Sequence, residues 1–135
     1  MKLKELYEMS YQDLRYAEQI IDRLFHDLGI DVEWSTHFVD RLEGREQDVT
    51  REELVLALKK LREKYKRRLL SAKDRQREFV AVLKDMASDL NIPFSIDYNK
   101  VNPENNKYVM RGITIMRKNP RDFKTSHSGS PELKV

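Results

Sequence analysis

Glu78–Leu90 reads EFVAVLKDMASDL, and the fold class turns on how this stretch is read. As a helix it places Phe79, Val82, Leu83, Met86 and Leu90 along one stripe. As a strand it sets Phe79, Ala81 and Leu83 on one face by alternation, with a β-branched and aromatic start that suits extended backbone. The residues leave both alternatives open.

The segments that follow are less ambiguous. In Asn91–Tyr98 (NIPFSIDY), Ile92, Phe94, Ile96 and Tyr98 alternate onto one face. Pro93 has no N–H to donate, so it suits an edge or the start of the strand. Residues 99–106 are polar with one proline and read as a loop. Tyr108–Lys118 (YVMRGITIMRK) is the strongest strand, with Ile113 and Ile115 to one side and Gly112 in the position of a bulge. Residues 119–135 hold Pro, Ser, Gly and Lys with little apolar content, and they are expected to be a mostly disordered tail.

On the N-terminal side the pattern is helical. Leu3, Tyr7, Leu14, Ala17, Ile21, Leu24 and Leu28 fall on one stripe through residues 1–28, and Gly29 is a good terminator. Ser10, with Asp13 after it, has N-cap composition, so the first turns read as a separate piece. Ile30, Val32 and Trp34 alternate with Asp31 and Glu33 as a short strand. Ser35 or Thr36 then caps a short helix ending at Gly44, with Phe38, Val39 and Leu42 inward and His37 and Arg41 sharing the other side. Thr50 and Glu53 have capping-box spacing, and the helix they open buries Leu54, Leu58, Leu61, Tyr65 and Leu69. The expectation is α+β: N-terminal helices packed on a small, mainly antiparallel sheet in one domain spanning residues 1–118.

Composition narrows the chemistry. The chain has no cysteine and only three histidines without paired ligand spacing, which argues against disulfides, thiolate catalysis and a zinc site; no cofactor motif is present and no metal is expected. No apolar run has the length of a membrane span, and the N-terminus lacks a secretory signal pattern. The net charge of +3 conceals an asymmetry: residues 1–58 carry 7 Lys/Arg against 14 Asp/Glu, and residues 59–135 carry 19 against 9. The densest part is 59–77, with 10 Lys/Arg and 2 acids. Such a run is either a solvated helix face or a surface for a polyanion, and an internally neutralised dipole between the two halves explains the asymmetry equally well.

The segment W-S-T-H-F-V-D-R-L-E-G-R (34–45), followed by T-R-E-E-L (50–54), resembles the strand, short helix and second helix of RelE-type and BrnT-type RNase toxins. N-I-P-F-S-I-D-Y and Y-V-M-R-G-I-T-I-M-R-K are similar to their last two strands, which end in a basic dipeptide. The resemblance covers roughly residues 30–118 and implies that 79–85 is a strand pairing with 91–98. A second resemblance, carried by V-E-W-S-T-H-F-V-D-R-L, N-I-P-F and M-R-K-x-x-x-F-K-T, is to small, uncharacterised tailed-phage proteins. Met1–Met9 is also similar to the amphipathic leaders of prohead-internal phage proteins, and Leu6-Tyr7-Glu8 fits a Leu-x-Glu maturation site.

The toxin resemblance implies a metal-independent ribonuclease in which RNA attacks itself through its 2′-hydroxyl. Such a site needs a base, an acid and cations on the phosphate. It would place His37, Arg41 and Arg45 on one exposed face near Arg117 and Lys118. Lys66, Arg67, Arg68 and Arg111 complete the expected phosphate contacts, with RNA favoured over DNA. Each residue also has an ordinary reading. His37 can bond locally in a first helical turn, Arg41 can pair with Asp40 or Glu43, and strand-end cations guard against edge association. Here the chain becomes polar after Phe123, where the toxins carry a functional C-terminal residue. The alternative expectation is therefore a non-enzymatic virion or host-interaction protein that uses its amphipathic first helix to bind a protein partner or a second copy. The location expected is the host cytoplasm or the virion.

Overall fold

The computed structural model describes residues 11–43, 49–102, 107–117 and 131–135. The helices are α1 (Tyr11–Phe25), α2 (Thr36–Glu43) and α3 (Arg51–Asp74). The strands are β1 (Ile30–Trp34), β2 (Phe79–Asp85), β3 (Leu90–Asn102), β4 (Lys107–Gly112), β5 (Met116–Arg117) and β6 (Glu132–Lys134). They make one mixed sheet of order β1-β4-β3-β2-β6, with the two-residue β5 also on β3. The chain is α+β. Three pairings are antiparallel, while β1–β4 and β2–β6 are parallel. The first ten residues, including the leader and the Ser10 cap, lie outside the described residues.

Helix α1 forms because Leu14, Ala17, Ile21 and Phe25 recur at gaps of three and four, and all four are buried. A 3₁₀ turn, His26–Leu28, follows it. Gly29 ends the turn at φ 70 with its N–H on His26 O, a left-handed conformation that glycine adopts without a Cβ clash. In β1, Ile30 and Val32 enter the core while Asp31 and Glu33 face away. Ser35 is the cap of α2: its Oγ accepts from Phe38 N at 3.0 Å and donates to Ile113 O at 2.5 Å. The Thr50–Glu53 capping box opens α3 as its spacing requires. The helix buries Leu54, Ala57, Leu58, Leu61 and Leu69, and each large side chain there contributes about 1.5–3 kcal/mol of transfer free energy.

Phe79–Asp85 is a strand, and the reason it read ambiguously is visible. Residues 81–85 are all buried, so the run lacks the apolar–polar alternation of a half-solvated strand. Phe79, Ala81, Leu83 and Asp85 share a face with Leu90, Ile92, Phe94 and Ile96 of β3 through the register Phe79↔Ile96 to Asp85↔Leu90. This is the face that α1 and α3 cover, and Leu14 through Leu133 form one core cluster.

Two strand expectations are corrected. Pro93 lies inside the central strand, paired with Val82, rather than at an edge. Its carbonyl accepts from Ile113 N at 2.8 Å. In an antiparallel ladder the N–H and C=O of one residue point to the same neighbour, so the missing N–H faces β4. There the ladder breaks. It stops at Phe94↔Gly112 and resumes at Asn91↔Met116, so the described part, residues 107–117, is two short strands around a bulged Ile113–Ile115 rather than the single strand expected over 108–118. Gly112 is required at the break, because a Cβ there would meet Trp34 Cε3 at 2.8 Å and Phe38 Cδ2 at 3.2 Å. The disordered-tail expectation is corrected at its end. Pro131–Val135 adds β6 to the outer edge of β2, with Leu133 fully buried, because a single leucine at the correct register fills the core that three ladder residues line up with. Residues 118–130 lie outside the described residues.

Candidate nucleic-acid interface

The basic run on α3 divides into two populations. On the flank toward α1, Arg62 donates to Leu24 O (2.7 Å) and Asp27 (2.5 Å), Lys66 lies 3.7 Å from Asp27, and Lys73 reaches Leu28 O at 3.5 Å. On the flank toward β2 and β6, Lys60 pairs with buried Asp85 at 3.0 Å, Lys64 donates to Lys134 O at 2.8 Å, and the Arg68 guanidinium stands 5.9 Å from the Phe79 ring centroid. These six cations tie the helix to its surroundings. Lys59, Arg67, Arg75 and Arg77 are exposed and have no ion pair or side-chain hydrogen bond among the described residues. They are the cations open to an external polyanion.

On the α1 side, acids are shifted in both directions. Burial pushes the Asp27 carboxyl up, but the Arg62 hydrogen bond and charge, with Lys66, outweigh it and hold the group below its ordinary value. Asp22 and Glu18 are pushed the other way. Burial is the main cause for each, and neighbouring acids add to it: Asp22 beside Glu18, and Asp31 beside Asp22. Asp22 also accepts from Val32 N at 2.7 Å, which caps the free edge of β1. Beside it, a surface cavity of about 250 Å³ is lined by Asp22, Arg23, His26 and Lys107. Lys107 Nζ is 3.0 Å from His26 Nδ1 and 3.5 Å from Asp31 Oδ1. The contact between His26 and Lys107 spans 81 positions, and no local signal in the sequence announces it.

The residues expected to form a catalytic face are distributed as follows. His37 and Arg41 lie on α2, which leaves the carboxyl end of β1. Ser35 N bonds to Gly112 O at 2.8 Å and Ser35 Oγ to Ile113 O, which ties the start of α2 to the β4–β5 connection. Arg117 in β5 pairs with Leu90 at the same end of the sheet. Arg45 and Lys118 lie outside the described residues. Lys66, Arg67 and Arg68 sit elsewhere, along the second half of α3 toward Asp27 and the start of β2. Arg111 is apart from both groups: Met110 faces the helices, so Arg111 points to the opposite face, where it pairs with Glu33 at 3.3 Å. The backbone therefore brings α2 and Arg117 to one end of the sheet and leaves Lys66–Arg68 and Arg111 at two other places.

Among the described residues there is no group of three or more His, Cys, Asp or Glu suited to a metal ion, and no helix long and apolar enough to cross a membrane. No family model matches the chain, and comparison with curated proteins and with solved structures gives no match.

Proposed function

We propose that the protein is a small nucleic-acid-binding protein of phage type that engages phosphate through exposed cations along α3 and the turn that follows it, and prefers RNA to DNA. The observation that carries this reading is the set Lys59 and Arg67 on α3 with Arg75 and Arg77 just past its end, all exposed and uncommitted while the other cations of the run are tied down. Four such cations on single-stranded RNA give a log–log salt dependence of about −2.8, or roughly 50-fold weaker binding between 50 and 200 mM salt. Fluorescence anisotropy with a generic RNA checks this. Arg67→Ala with Arg75→Ala should halve the slope. An unchanged slope, or no binding at low salt, removes the proposal.

The cleavage reading attaches to the other end of the sheet. There His37 would act as base or acid, with Arg41 and Arg117 on the phosphate; Arg45 and Lys118, the further cations this reading calls for, lie outside the described residues. The 2′-oxygen would attack phosphorus and the 5′-oxygen would leave, giving a 2′,3′-cyclic phosphate and a 5′-hydroxyl with no metal or cofactor. This reading rests on the order strand, two helices, strand meander and on the sequence resemblance over residues 30–118. His37→Ala and Arg41→Ala should abolish cleavage in folded protein; full activity in both would sink the assignment.

One observation favours the alternative, a virion or host-interaction protein. Tyr16, Ile20, Val55 and Leu56 line an apolar groove of about 290 Å³ between α1 and α3. Tyr16 is 52% and Leu56 49% exposed, high for large apolar side chains that share one groove. Tyr16→Ser with Leu56→Ser would weaken a protein partner and leave RNA affinity unchanged. The host cytoplasm or the virion is the location consistent with either reading.

A further inference from the structure

The slot that holds β6 is built by elements far from it in sequence. On one side is the outer edge of β2: Val82 N donates to Pro131 O (2.9 Å), Val135 N to Lys84 O (2.9 Å) and Met86 N to Val135 O (3.1 Å). On the other side is α3, where Lys64 Nζ (2.8 Å) and Tyr65 Oη (3.0 Å) both donate to Lys134 O. Tyr65 is also where α3 departs from helical geometry (φ −117, ψ 15), so the helix bends at the residue that closes the slot. Side chains alternate as strand addition requires: Leu133 enters the core, and Glu132 reaches Lys84 at 3.0 Å.

An empty slot is strongly disfavoured. Lys84 is only 2% exposed and would lose Glu132. The space of Leu133 would be a cavity, and β2 would present a free edge. The segment that joins β6 to β5, residues 118–130, is thirteen residues long and contains Pro120, Ser126, Ser128, Gly129 and Ser130. Extended, that length spans about 43–47 Å, enough to reach a neighbouring molecule. The slot must be filled, thirteen residues of chain separate its filler from β5, and the one sequence known to match its register is the chain's own.

We propose that the slot between β2 and α3 is a strand-acceptor site that takes Pro131–Val135 of a second copy in the same register, giving a strand-exchanged dimer. Exchange replaces each contact with an identical one across copies. What opposes it is the effective concentration of the tethered strand, on the order of mM. The inference is independent of nucleic-acid binding.

The test is refolding from denaturant at increasing protein concentration up to about 1 mM, followed by size exclusion with light scattering. A dimer whose fraction rises with concentration, and which is absent in Leu133→Asp, is the expected result. Monomer alone at the highest concentration, or a dimer that survives Leu133→Asp, overturns the proposal. Should Leu133→Asp not fold, Val82→Cys with Glu132→Cys decides the matter. The chain has no other cysteine and the two positions are register partners. In an exchanged dimer oxidation links two copies, which run as a covalent dimer on a non-reducing gel. In the absence of exchange the link stays within one copy and the covalent species is a monomer.

Discussion

Asp85 is the residue whose loss should be felt most. It ends β2 on the helix-facing side, 1% exposed, and its carboxylate does two jobs. It binds Lys60 Nζ through both oxygens (3.0 and 3.2 Å), and Oδ1 accepts from Ala87 N (3.0 Å) and Ser88 N (3.4 Å) to shape the turn into β3. Removing one member of a buried pair costs about 3–5 kcal/mol. Lys60 is 29% exposed and can turn toward water once its partner is gone, so the lower end of that range applies. A 135-residue domain unfolds with an entropy of about 0.28 kcal/mol/K, so Asp85→Ala should lower Tm by about 11 °C. Asp85→Asn keeps an oxygen for the turn and should recover about 1 kcal/mol. Circular dichroism melts and urea titrations of Asp85→Ala, Lys60→Met and the double variant complete a cycle with an expected coupling of about 0.5–3 kcal/mol. Lys60→Met should also leave the RNA salt slope at its wild-type value, because this cation is committed inside the molecule. A Tm change below about 3 °C for Asp85→Ala, or additive single variants, would refute the reasoning.

Two other expectations rest on the same structure. Gly112→Ala forces a methyl against the Trp34 ring, which stacks on Phe38 at 4.6 Å; it should cost about 1–3 kcal/mol and shift tryptophan emission, and an unshifted spectrum with full stability would show that the ring yields freely. The carboxylates should give opposite pH responses. Asp27 is held low, so its stabilisation is present above its ordinary value of about 3.9 and is lost as pH falls through its folded value; Asp27→Asn should flatten the acid limb of the urea-midpoint profile. Asp22 is held high, so its contribution is complete below about 3.9 and is lost as pH rises through its folded value. Asp22→Asn, which keeps an acceptor for Val32 N, should therefore stabilise the protein at pH 7 and not at pH 3, and equal effects at both pH values would contradict the burial argument.

Much of the local structure was legible because its causes are local. Gly29 ends the turn after α1, Ser35 caps α2, and Thr50 with Glu53 opens α3, each through bonds within three residues. The period of the apolar positions separated α1 and α3 from β1 and β3. The stretch Glu78–Leu90 was not legible from its own residues, because burial on both faces of β2 erases the alternation that marks a strand. Pro93 misled for a related reason: a proline is excluded from a central strand only if a ladder bond is needed there, and the bulge at Ile113–Ile115 removes that need. Glu132–Lys134 gave no signal, since three residues with one leucine carry too little pattern to announce a strand.

Composition alone established a charged, cysteine-free chain with an acidic first half and a basic second half. Tertiary structure decided what that charge does. Ten cations along residues 59–77 look equivalent in sequence, yet packing against Asp27, Asp85 and Lys134 commits part of them to the fold and leaves Lys59, Arg67, Arg75 and Arg77 facing solvent. The partners that make this distinction lie 25 to 70 positions away. Helical spacing shows which cations share a side of α3, but only the chain's return through the sheet puts a carboxylate or a carbonyl within reach of some of them.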